Sequence, residues 1–473
     1  MDNLSFGDLL SSIKGIALVA IFFGGSIFVH ELGHFMVARW CGMIIDTFSI
    51  GFGQAIWKKK VGDVTYKIGW IPFGGYVALP QMDPTLDAKA EKETQERALP
   101  PVSPWKRIAV AVAGATGNVI FGAILALIVF LVGRPAAPHE TDSVIGYVEK
   151  TNGTAYATGT RCGDKIISVN GVAVANWNEI AAVCATSTVA NLQLSSPEGV
   201  AKSAQSTLTN GLFGKMQMID LVPQQYCTVA KTMPGSAAEG AKLRRGDRVI
   251  ECEGQRLYGR PQLTDIVSAH AGQPVTIKYV RDGQTLSATL TPKFNKEEHR
   301  ALIGIHYTDY RFDVDLQKKI YPRPGAQLSE HASMIFLVLH SLVTPGSAGK
   351  TAELIGGPLE IIVEYWLMIQ SSFMLALWFT CFLNINLAII NLLPIPVFDG
   401  GHVVFALWEV VTRRPVHRKV ANALMNFFVI LILCLAAFLT YRDIVRNWFP
   451  NFHPGKTAAP APAITNAAPQ PAK

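Results

Sequence analysis

Four long apolar stretches limit this 473-residue chain to folds that cross a membrane. They run from about Ile13 to Ala38, from Ile108 to Val132, within Tyr365 to Phe398, and from Val420 to Tyr441. Each exceeds the roughly 20 residues that an α-helix needs to span the hydrocarbon of a bilayer. Hydrophobic residues make up 49% of the chain, and the mean hydropathy is +0.26. The sequence therefore predicts a polytopic α-helical membrane protein with four transmembrane helices.

The first apolar stretch contains a zinc-binding pattern, His30-Glu31-Leu32-Gly33-His34. Two His four positions apart lie on one face of a helix, so both imidazoles can reach one zinc ion. A Glu between them can accept a proton from water at the metal. Ionisable side chains within a membrane span are costly and usually functional. We therefore predict His30 and His34 as zinc ligands and Glu31 as the catalytic base; the alternative is a pair of core histidines.

The third apolar stretch ends in residues that stop a helix and add a carboxylate. These are Asn386, Asn391, Pro394, Pro396, Asp399, Gly400 and Gly401. The two prolines and the Gly pair predict that Asp399 lies on non-helical backbone at membrane depth. A third ligand from Asp399 leaves one zinc position open, as in catalytic sites, whereas the alternative role is a helix cap. The two Asn side chains could position substrate backbone or a developing oxyanion.

Basic residues predict how the chain crosses the membrane. Between the first two spans stand Arg39, Lys58, Lys59, Lys60, Lys67, Lys106 and Arg107, and between the last two stand Arg413, Arg414, Arg418 and Lys419. Cytoplasmic loops carry an excess of Lys and Arg, so both loops are predicted to be cytoplasmic. Both termini and the middle region would then be extracytoplasmic, and the metal would lie in the cytoplasmic half of the bilayer. The net charge of +7 is concentrated near the ends of apolar runs, which favours topology over nucleic-acid binding.

Two further segments of the first half carry Gly residues. The apolar segment from Ile71 to Leu79 contains Gly74 and Gly75 and predicts a β-hairpin that dips into the membrane face. Substrate could add to it as a strand, although a plain turn is an equal alternative. The second span carries small residues before Asn118, which either packs against another helix or supports the metal site.

The middle region, from Asp142 to about Tyr310, is an internal duplication. The run from Thr160 to Gly171 recurs from Leu243 to Gly254. The Asp of the first run, Asp164, and that of the second, Asp247, are 83 positions apart. This pattern resembles tandem PDZ domains of the bacterial, permuted type, and the second copy matches better than the first. Each copy either binds peptide or acts as a spacer or steric gate. Four cysteines of this region could form disulfides outside the cytoplasm, in a pairing that the sequence leaves open: Cys162, Cys184, Cys227 and Cys252.

Taken together, these motifs resemble the site-2 protease family of intramembrane zinc metalloproteases, in its bacterial regulator-of-sigma-E branch. The resemblance covers the chain from about Ser5 to Phe449. It departs at Ala115, where relatives often carry Pro. The resemblance implies His30, His34 and Asp399 as ligands of one Zn²⁺ per chain and Glu31 as the base. It also implies substrate contacts and supporting residues, namely Asn386, Asn391, Gly74, Gly75, Asn118, Pro394 and Pro396.

The resemblance implies a multi-pass protein of the bacterial inner membrane that cuts the transmembrane segment of a single-span protein. The expected substrate resembles an anti-sigma factor that an upstream site-1 protease has already trimmed. The expected fold is four transmembrane helices with a membrane-associated β-hairpin, plus two extracytoplasmic PDZ-like α+β domains, the second of which could bind peptide C-termini. We predict domains at 1–134, 142–224, 225–310, 311–364, 365–449 and 450–473, of which the fourth is an amphipathic connector and the last a disordered tail.

Two other classes of protein compete with this interpretation. A non-catalytic membrane scaffold could bind C-termini through PDZ-like domains, but it would not need three metal ligands and Glu31. A zinc or ion transporter could line a path with His and Asp, but transporters usually contain repeated spans, and these four show no repeat. The sequence therefore favours the protease.

Overall fold

The computed structural model describes residues 6–82, 100–150, 154–185, 187–210, 216–218, 220–295, 300–307, 313–344, 348–349, 351 and 355–448. The predicted tail, 450–473, lies outside them. The described residues divide between two compact units. One unit is drawn from Met1–Arg134 and Tyr321–His453, and the other from Pro135–Ile320. We call them the membrane unit and the middle unit. The predicted domain boundaries stay predictions.

The membrane unit contains helices long and apolar enough to cross a bilayer. In the described part of the chain these are Ala17–Trp40, Pro104–Val132, Phe373–Asn391 and Arg418–Val445, which confirms the four predicted spans. The labelled elements are α1 (Phe6–Trp40), β1 (Thr47–Val61), β2 (Val64–Ala78), α2 (Pro104–Val132), α3 (Pro324–Val343), α4 (Pro358–Ser371), α5 (Phe373–Asn391), α6 (Asp399–Thr412) and α7 (Arg418–Trp448).

Small residues let α1 and α2 approach closely. A Cβ on Gly33 would overlap the Ala113 carbonyl oxygen, and a Cβ on Gly117 would lie 2.8 Å from the Val29 carbonyl oxygen. Helices in membranes associate through such close backbone packing, because lipid tails remove the hydrophobic driving force. The sequence GATGN of α2 is thus a packing surface for α1.

Buried polar groups fasten the other helices. Asn384 of α5 is fully buried, and its Nδ2 donates to Ser26 Oγ of α1 at 2.9 Å. Asp443 of α7 is also buried and accepts from the backbone N–H of Gly357 and Glu360, each at 3.1 Å. A carboxylate at the N-terminus of α4 is favoured by the helix dipole. These contacts bind α5 to α1 and α7 to α4.

Three predictions about the second half need correction. The stretch Tyr365–Phe398 holds parts of two helices, because the backbone at Ser372 is extended between α4 and α5. Asp399 does not lie on non-helical backbone: Pro394 and Pro396 end the α5 segment, and a new helix begins at Asp399. The apolar segment from Ala332 to Thr344 is too short to span a bilayer, so the sequence predicts an interfacial or amphipathic helix there. That helix begins earlier, at Pro324, because Pro is favoured in the first helical turn.

β1 and β2 form a small bent sheet beside α1. Phe48 pairs with both Tyr66 and Val77, so residues 47–50 lie between 65–68 and 75–78. Phe48 and Phe35 pack ring to ring, with centroids 5.1 Å apart. The β1–β2 hairpin turns at Gly62 and Asp63, whereas the segment that predicted a hairpin, from Ile71 to Leu79, lies in the second half of β2 and just after it. Its entry into the membrane face stays a prediction.

The middle unit consists of two α+β modules in sequence order. The first module contains strands Ile145–Val148, Lys165–Val169, Val172–Ala173, Ala190–Ser195, Ala201–Ser206, Leu208–Asn210, Met216–Met218 and Leu221–Pro223, with helices Pro138–Thr141, Thr154–Ala157 and Trp177–Cys184. The second contains strands Cys227–Thr232, Arg248–Cys252, Gln255–Arg256, Val275–Arg281, Gln284–Leu290, Lys293–Asn295, Arg300–Leu302 and Ile305–Tyr307, with helices Ala237–Gly240 and Arg260–Ala269. Strands Arg134–Ala136 and Asp315–Ile320 pair with each other.

The repeated Asp has the same environment in both modules. Asp164 accepts from the backbone N–H of Arg161 at 2.8 Å and pairs with Lys202 at 3.1 Å. Asp247 accepts from the backbone N–H of Arg244 at 2.7 Å and pairs with Arg281 at 2.6 Å. Both carboxylates are buried, so each needs its donors. This shared arrangement explains why the motif recurs.

All four cysteines of the middle unit are free thiols. Burial raises the pKa of Cys227 to about 12 and that of Cys252 to about 11. A thiol is nucleophilic only as the thiolate, so these two are packing residues at neutral pH.

We predict that the Asn384–Ser26 hydrogen bond stabilises the α1–α5 contact. Asn384→Leu and Ser26→Ala should each lower the free energy of unfolding in detergent by about 1 kcal/mol, the range of interhelical hydrogen bonds in membranes. The double variant should lose less than the sum of the two, because both changes remove one interaction. Additive losses in a denaturant titration would show that the bond contributes nothing.

Candidate metal centre

His30, His34 and Asp399 meet at one point of the membrane unit. The two His Nε2 atoms are 3.1 Å apart, and Asp399 Oδ2 lies 3.2 Å from His30 Nε2 and 3.3 Å from His34 Nε2. No other group of three or more His, Cys, Asp or Glu in the described ranges brings its ligand atoms together. Asp399 Oδ2 is buried, and no described donor meets hydrogen-bond geometry with it.

These distances fit a tetrahedral zinc ion. Zinc binds His nitrogen and carboxylate oxygen at about 2.0–2.2 Å, which sets neighbouring ligand atoms roughly 3.3–3.5 Å apart. The three observed separations of 3.1–3.3 Å lie close to that edge length. Two nitrogens and one oxygen are also the donor set of catalytic zinc sites.

α2 contacts both His rings on the side of their Nδ1 atoms, opposite the Nε2 atoms of the cluster. His34 Nδ1 lies 2.7 Å from the Val110 carbonyl oxygen, so Nδ1 carries the proton and Nε2 keeps its lone pair. Asn118 is fully buried, and its amide group lies 3.3 Å from His30 Nδ1. A Cβ on Gly114 would overlap His34 Nε2 and come within 2.7 Å of His30 Cε1. Glycine is therefore required where α2 passes the rings.

Asp399 is positioned by a tight fold between α5 and α6. A Cβ on Gly401 would lie 2.6 Å from the Ile395 carbonyl oxygen, and one on Gly400 would overlap the Leu393 carbonyl oxygen. Further along α6, Glu409 accepts a 2.5 Å hydrogen bond from Arg107 of α2. The ion pair fixes α6 against the helix that also positions the His rings.

Glu31 lines the same cavity as the three metal-ligand candidates. The cavity has a volume of about 520 Å³, and its wall includes the segment from Tyr76 to Pro80. The backbone of Val77 interacts with the Glu31 carboxylate. A Cβ on Gly75 would lie 3.2 Å from Glu31 Cγ, so glycine lets β2 pass close to this side chain. An acid–base group and a strand edge thus share one cavity with the cluster.

The remaining predicted residues lie at different distances from the cluster. Asn391 Nδ2 lies 3.5 Å from His30 Nε2. Asn386 is half-buried one turn earlier on α5, and no hydrogen bond among the described residues joins it to the cluster. Pro394 is exposed and Pro396 is buried, both in the α5–α6 turn. Gly74, at φ +104°, lies where a Cβ would overlap the Phe52 ring.

Sequence reasoning missed several residues that organise the site. Arg107 and Glu409 were treated as topology signals or ignored, although a charge at a span end often pairs with one on a neighbouring helix. Asn384 offered a clearer signal, a polar side chain in mid-span. His402, one turn after Asp399, also lines the cavity.

Four helices long enough to cross a bilayer and a His-His-Asp cluster beside a Glu are the combination expected of a membrane-embedded metalloprotease. Comparison with known proteins gives the same answer. The family model of peptidase family M50 matches residues 18–435, and the chain belongs to this family.

Curated relatives align with this chain over almost their whole length. A Vibrio cholerae protein named provisionally as a zinc metalloprotease is 30% identical, covering 88% of this chain and 95% of its own. The regulator of sigma-E protease RseP of Escherichia coli K12 is 28% identical, covering 93% of this chain and all of its own. Protease RseP of Yersinia pestis is 27% identical with the same coverage.

Solved structures match only part of the chain. The PDZ domain of an SdrC-like protein from Listeria monocytogenes is 19% identical and covers 19% of this chain and 95% of its own, with a TM-score of 0.17. The corresponding domain from Listeria innocua is 24% identical, covers 18% of this chain and 92% of its own, and has a TM-score of 0.16. At these scores the matches do not define the middle unit.

The chain is therefore an intramembrane zinc metalloprotease, a multi-pass protein of the inner membrane. The predicted family, enzyme class and zinc cofactor are confirmed. The family match does not assign roles to individual residues.

We predict that Gly114→Ala abolishes zinc binding, because its Cβ would displace both His rings. Metal content of the purified protein should fall to near zero. Gly122→Ala is the matched control on the same helix, since its Cβ would be 3.3 Å from the end of the Ile385 side chain, which can shift. Full zinc content in Gly114→Ala would contradict the prediction.

Proposed function

We propose that His30, His34 and Asp399 hold the zinc ion and that Glu31 is the general base of peptide hydrolysis. The single observation that carries this assignment is the mutual 3.1–3.3 Å spacing of the three ligand atoms. Asp399 Oδ2 is buried without a described hydrogen-bond donor, which supports a metal partner, because buried charges require compensation.

Asn118 completes the site in our proposal. Its Oδ1 is buried without a donor while its Nδ2 faces His30 Nδ1. The oxygen and nitrogen of an amide are assigned from hydrogen bonding, and turning this one over lets Oδ1 accept a hydrogen bond from the Nδ1–H group of His30. His30 Nε2 then keeps its lone pair for the metal. Such outer partners orient metal-binding His rings and raise their basicity.

The chemistry then follows from the chain's own side chains. Zinc, when bound, supplies a Lewis acid that acidifies water and polarises the scissile carbonyl. Glu31 accepts the proton of the attacking water and later donates it to the leaving amine. Asn391, beside His30, is suited to donate to the oxyanion, and Asn386 to the substrate backbone one turn away.

The substrate must be extended at the cut, because a helix holds its carbonyls in i to i−4 hydrogen bonds. We propose that the unwound segment pairs with the strand edge after Gly74 and Gly75, which lines the cavity beside Glu31. Backbone hydrogen bonds along an added strand hold an extended peptide whatever its side chains. Pro394 and Pro396 support this arrangement by fixing the turn that carries Asp399.

We propose that the substrate is a single-span membrane protein such as an anti-sigma factor, already trimmed by a site-1 protease. The names of relatives support this, because the Escherichia coli relative, among others, is named regulator of sigma-E protease. The basic loops support both termini and the middle unit on the extracytoplasmic side, and the site in the cytoplasmic half of the bilayer.

The first test compares wild type with Glu31→Gln in cleavage of a single-span model substrate. We expect cleavage to fall by at least about 100-fold, the usual contribution of a general base, with zinc content unchanged. Asp399→Asn should instead lose zinc as well as activity. Equal cleavage by wild type and Glu31→Gln would remove Glu31 as the base. Loss of zinc in Glu31→Gln would make it a ligand.

We propose that the two modules of the middle unit are PDZ-like and that the second can bind a peptide C-terminus. A cavity of about 260 Å³ lies between the helix Arg260–Ala269 and residues 300–307, lined by Leu263, Val267 and Ile305. An extended peptide there could add to the strand Ile305–Tyr307. A purely scaffolding protein would use this cavity alone, and the metal centre would then have no purpose.

We expect the middle unit to exclude untrimmed substrates. A variant lacking residues 142–310 should cut a substrate with its bulky outer domain intact, which the full chain should refuse. Cleavage is compared on immunoblots, with the same deletion carrying Glu31→Gln as the blank. If the deletion variant cuts only trimmed substrate, the gating role is wrong.

A further inference from the structure

The sheet of β1 and β2 carries an unusual cluster of positive charge. Lys58 of β1 and Lys67 of β2 are direct cross-strand partners. Lys60 follows two residues after Lys58 and lies on the same face of the sheet. Like charges directly opposite each other destabilise a sheet. Among the ion pairs of the described residues, none joins a carboxylate to any of these lysines.

The adjoining part of the same sheet, toward Trp70, is exposed and apolar. Ile56 is 72% exposed and Trp70 is 63% exposed. Both residues line a groove against Ile21 and Phe28 of α1, well inside the first span. In water such an exposed apolar surface would promote aggregation. Beside a membrane-spanning part of α1, the acyl chains of the lipids would cover it.

These two parts of the sheet lie at different depths along α1. Tyr66, next to Lys67, packs against Phe35, with ring centroids 6.1 Å apart, whereas Trp70 lines a groove with residues of α1 between Ala20 and Phe28. Along a helix, Phe35 lies roughly 10 Å beyond Phe28 and roughly 21 Å beyond Ile21. The lysines therefore lie toward the end of the span, where lipid headgroups begin, and the apolar part lies among the tails.

We propose that Lys58, Lys60 and Lys67 form a binding site for the headgroups of anionic phospholipids. A phosphate between the lysines relieves their repulsion and supplies the missing counter-charge. A substrate flank fits less well, because membrane proteins are enriched in Lys and Arg beside their cytoplasmic ends, and those would be repelled. Bound lipid then fixes the depth of the sheet whose far edge lines the metal centre.

The test uses purified full-length protein, stripped of lipid in detergent. It is mixed with equal amounts of phosphatidylglycerol and phosphatidylcholine of identical acyl chains, and bound lipid is counted by mass spectrometry. Wild type should prefer phosphatidylglycerol. Lys58→Gln/Lys60→Gln/Lys67→Gln should lower that preference by at least about fivefold, the effect of one lysine beside an anionic surface. The triple Arg variant should keep the preference.

The matched control removes three exposed lysines of the middle unit: Lys231→Gln/Lys318→Gln/Lys319→Gln. It should bind like wild type. An equal fall in the control, no preference in wild type, or a full preference in the Gln variant would overturn the proposal. The proposal would also be overturned if the triple Gln variant kept its lipid preference but no longer cut substrates with acidic flanking residues. The lysines would then bind substrate and not lipid. Zinc content and the size-exclusion elution profile verify that each variant is folded. If the triple Gln variant is not folded by these measures, the single variant Lys58→Gln is compared with Lys318→Gln.

Discussion

The close contact of α1 with α2 is the constraint on which the rest of the membrane unit depends. Gly33 and Gly117 remove the side chains that would hold these helices apart, and Gly114 leaves room for the His rings. The contact also brings Val110 and Asn118 to the far nitrogens of those rings. One packing surface thus sets helix separation, tautomer and ring orientation together. Dense interiors transmit such small displacements, so these functions cannot vary independently.

Asp399, the third ligand in our proposal, is positioned by a helix break and not by a close helix–helix contact. A carboxylate in the membrane is costly unless its charge is compensated, and Asp399 gains compensation from the start of α6 and, in our proposal, from the zinc ion that it shares with the His rings. The break between α5 and α6 places a helix N-terminus at Asp399, beside the His rings. Irregular backbone there is tolerated because protein or a water-filled cavity surrounds it. The prolines and glycines of the turn serve this single purpose.

The parts of the fold that the sequence predicted are those with a strong local signal. Apolar length predicted the spans, and His-x-x-x-His spacing and the Pro-rich turn predicted which residues converge. Local signals failed where tertiary contacts decide: Asp399 begins a helix, and α3 begins as early as Pro324, where the buried Gln327 donates to the Ala126 carbonyl oxygen of α2. Arg107 and Glu409 are far apart in sequence, so only the folded chain reveals their ion pair.

The site also explains why a β-sheet exists beside a helical protease core. Helices satisfy their own backbone groups and offer no edge to a peptide, whereas the edge of a sheet offers a row of unpaired N–H and C=O groups. In lipid such an edge is costly, and here it faces a cavity of about 520 Å³ that contains Glu31 and the ligand cluster. An incoming extended peptide would satisfy that edge. The unpaired N–H and C=O groups of this edge therefore favour binding of the substrate in its extended form. Hydrolysis requires that form.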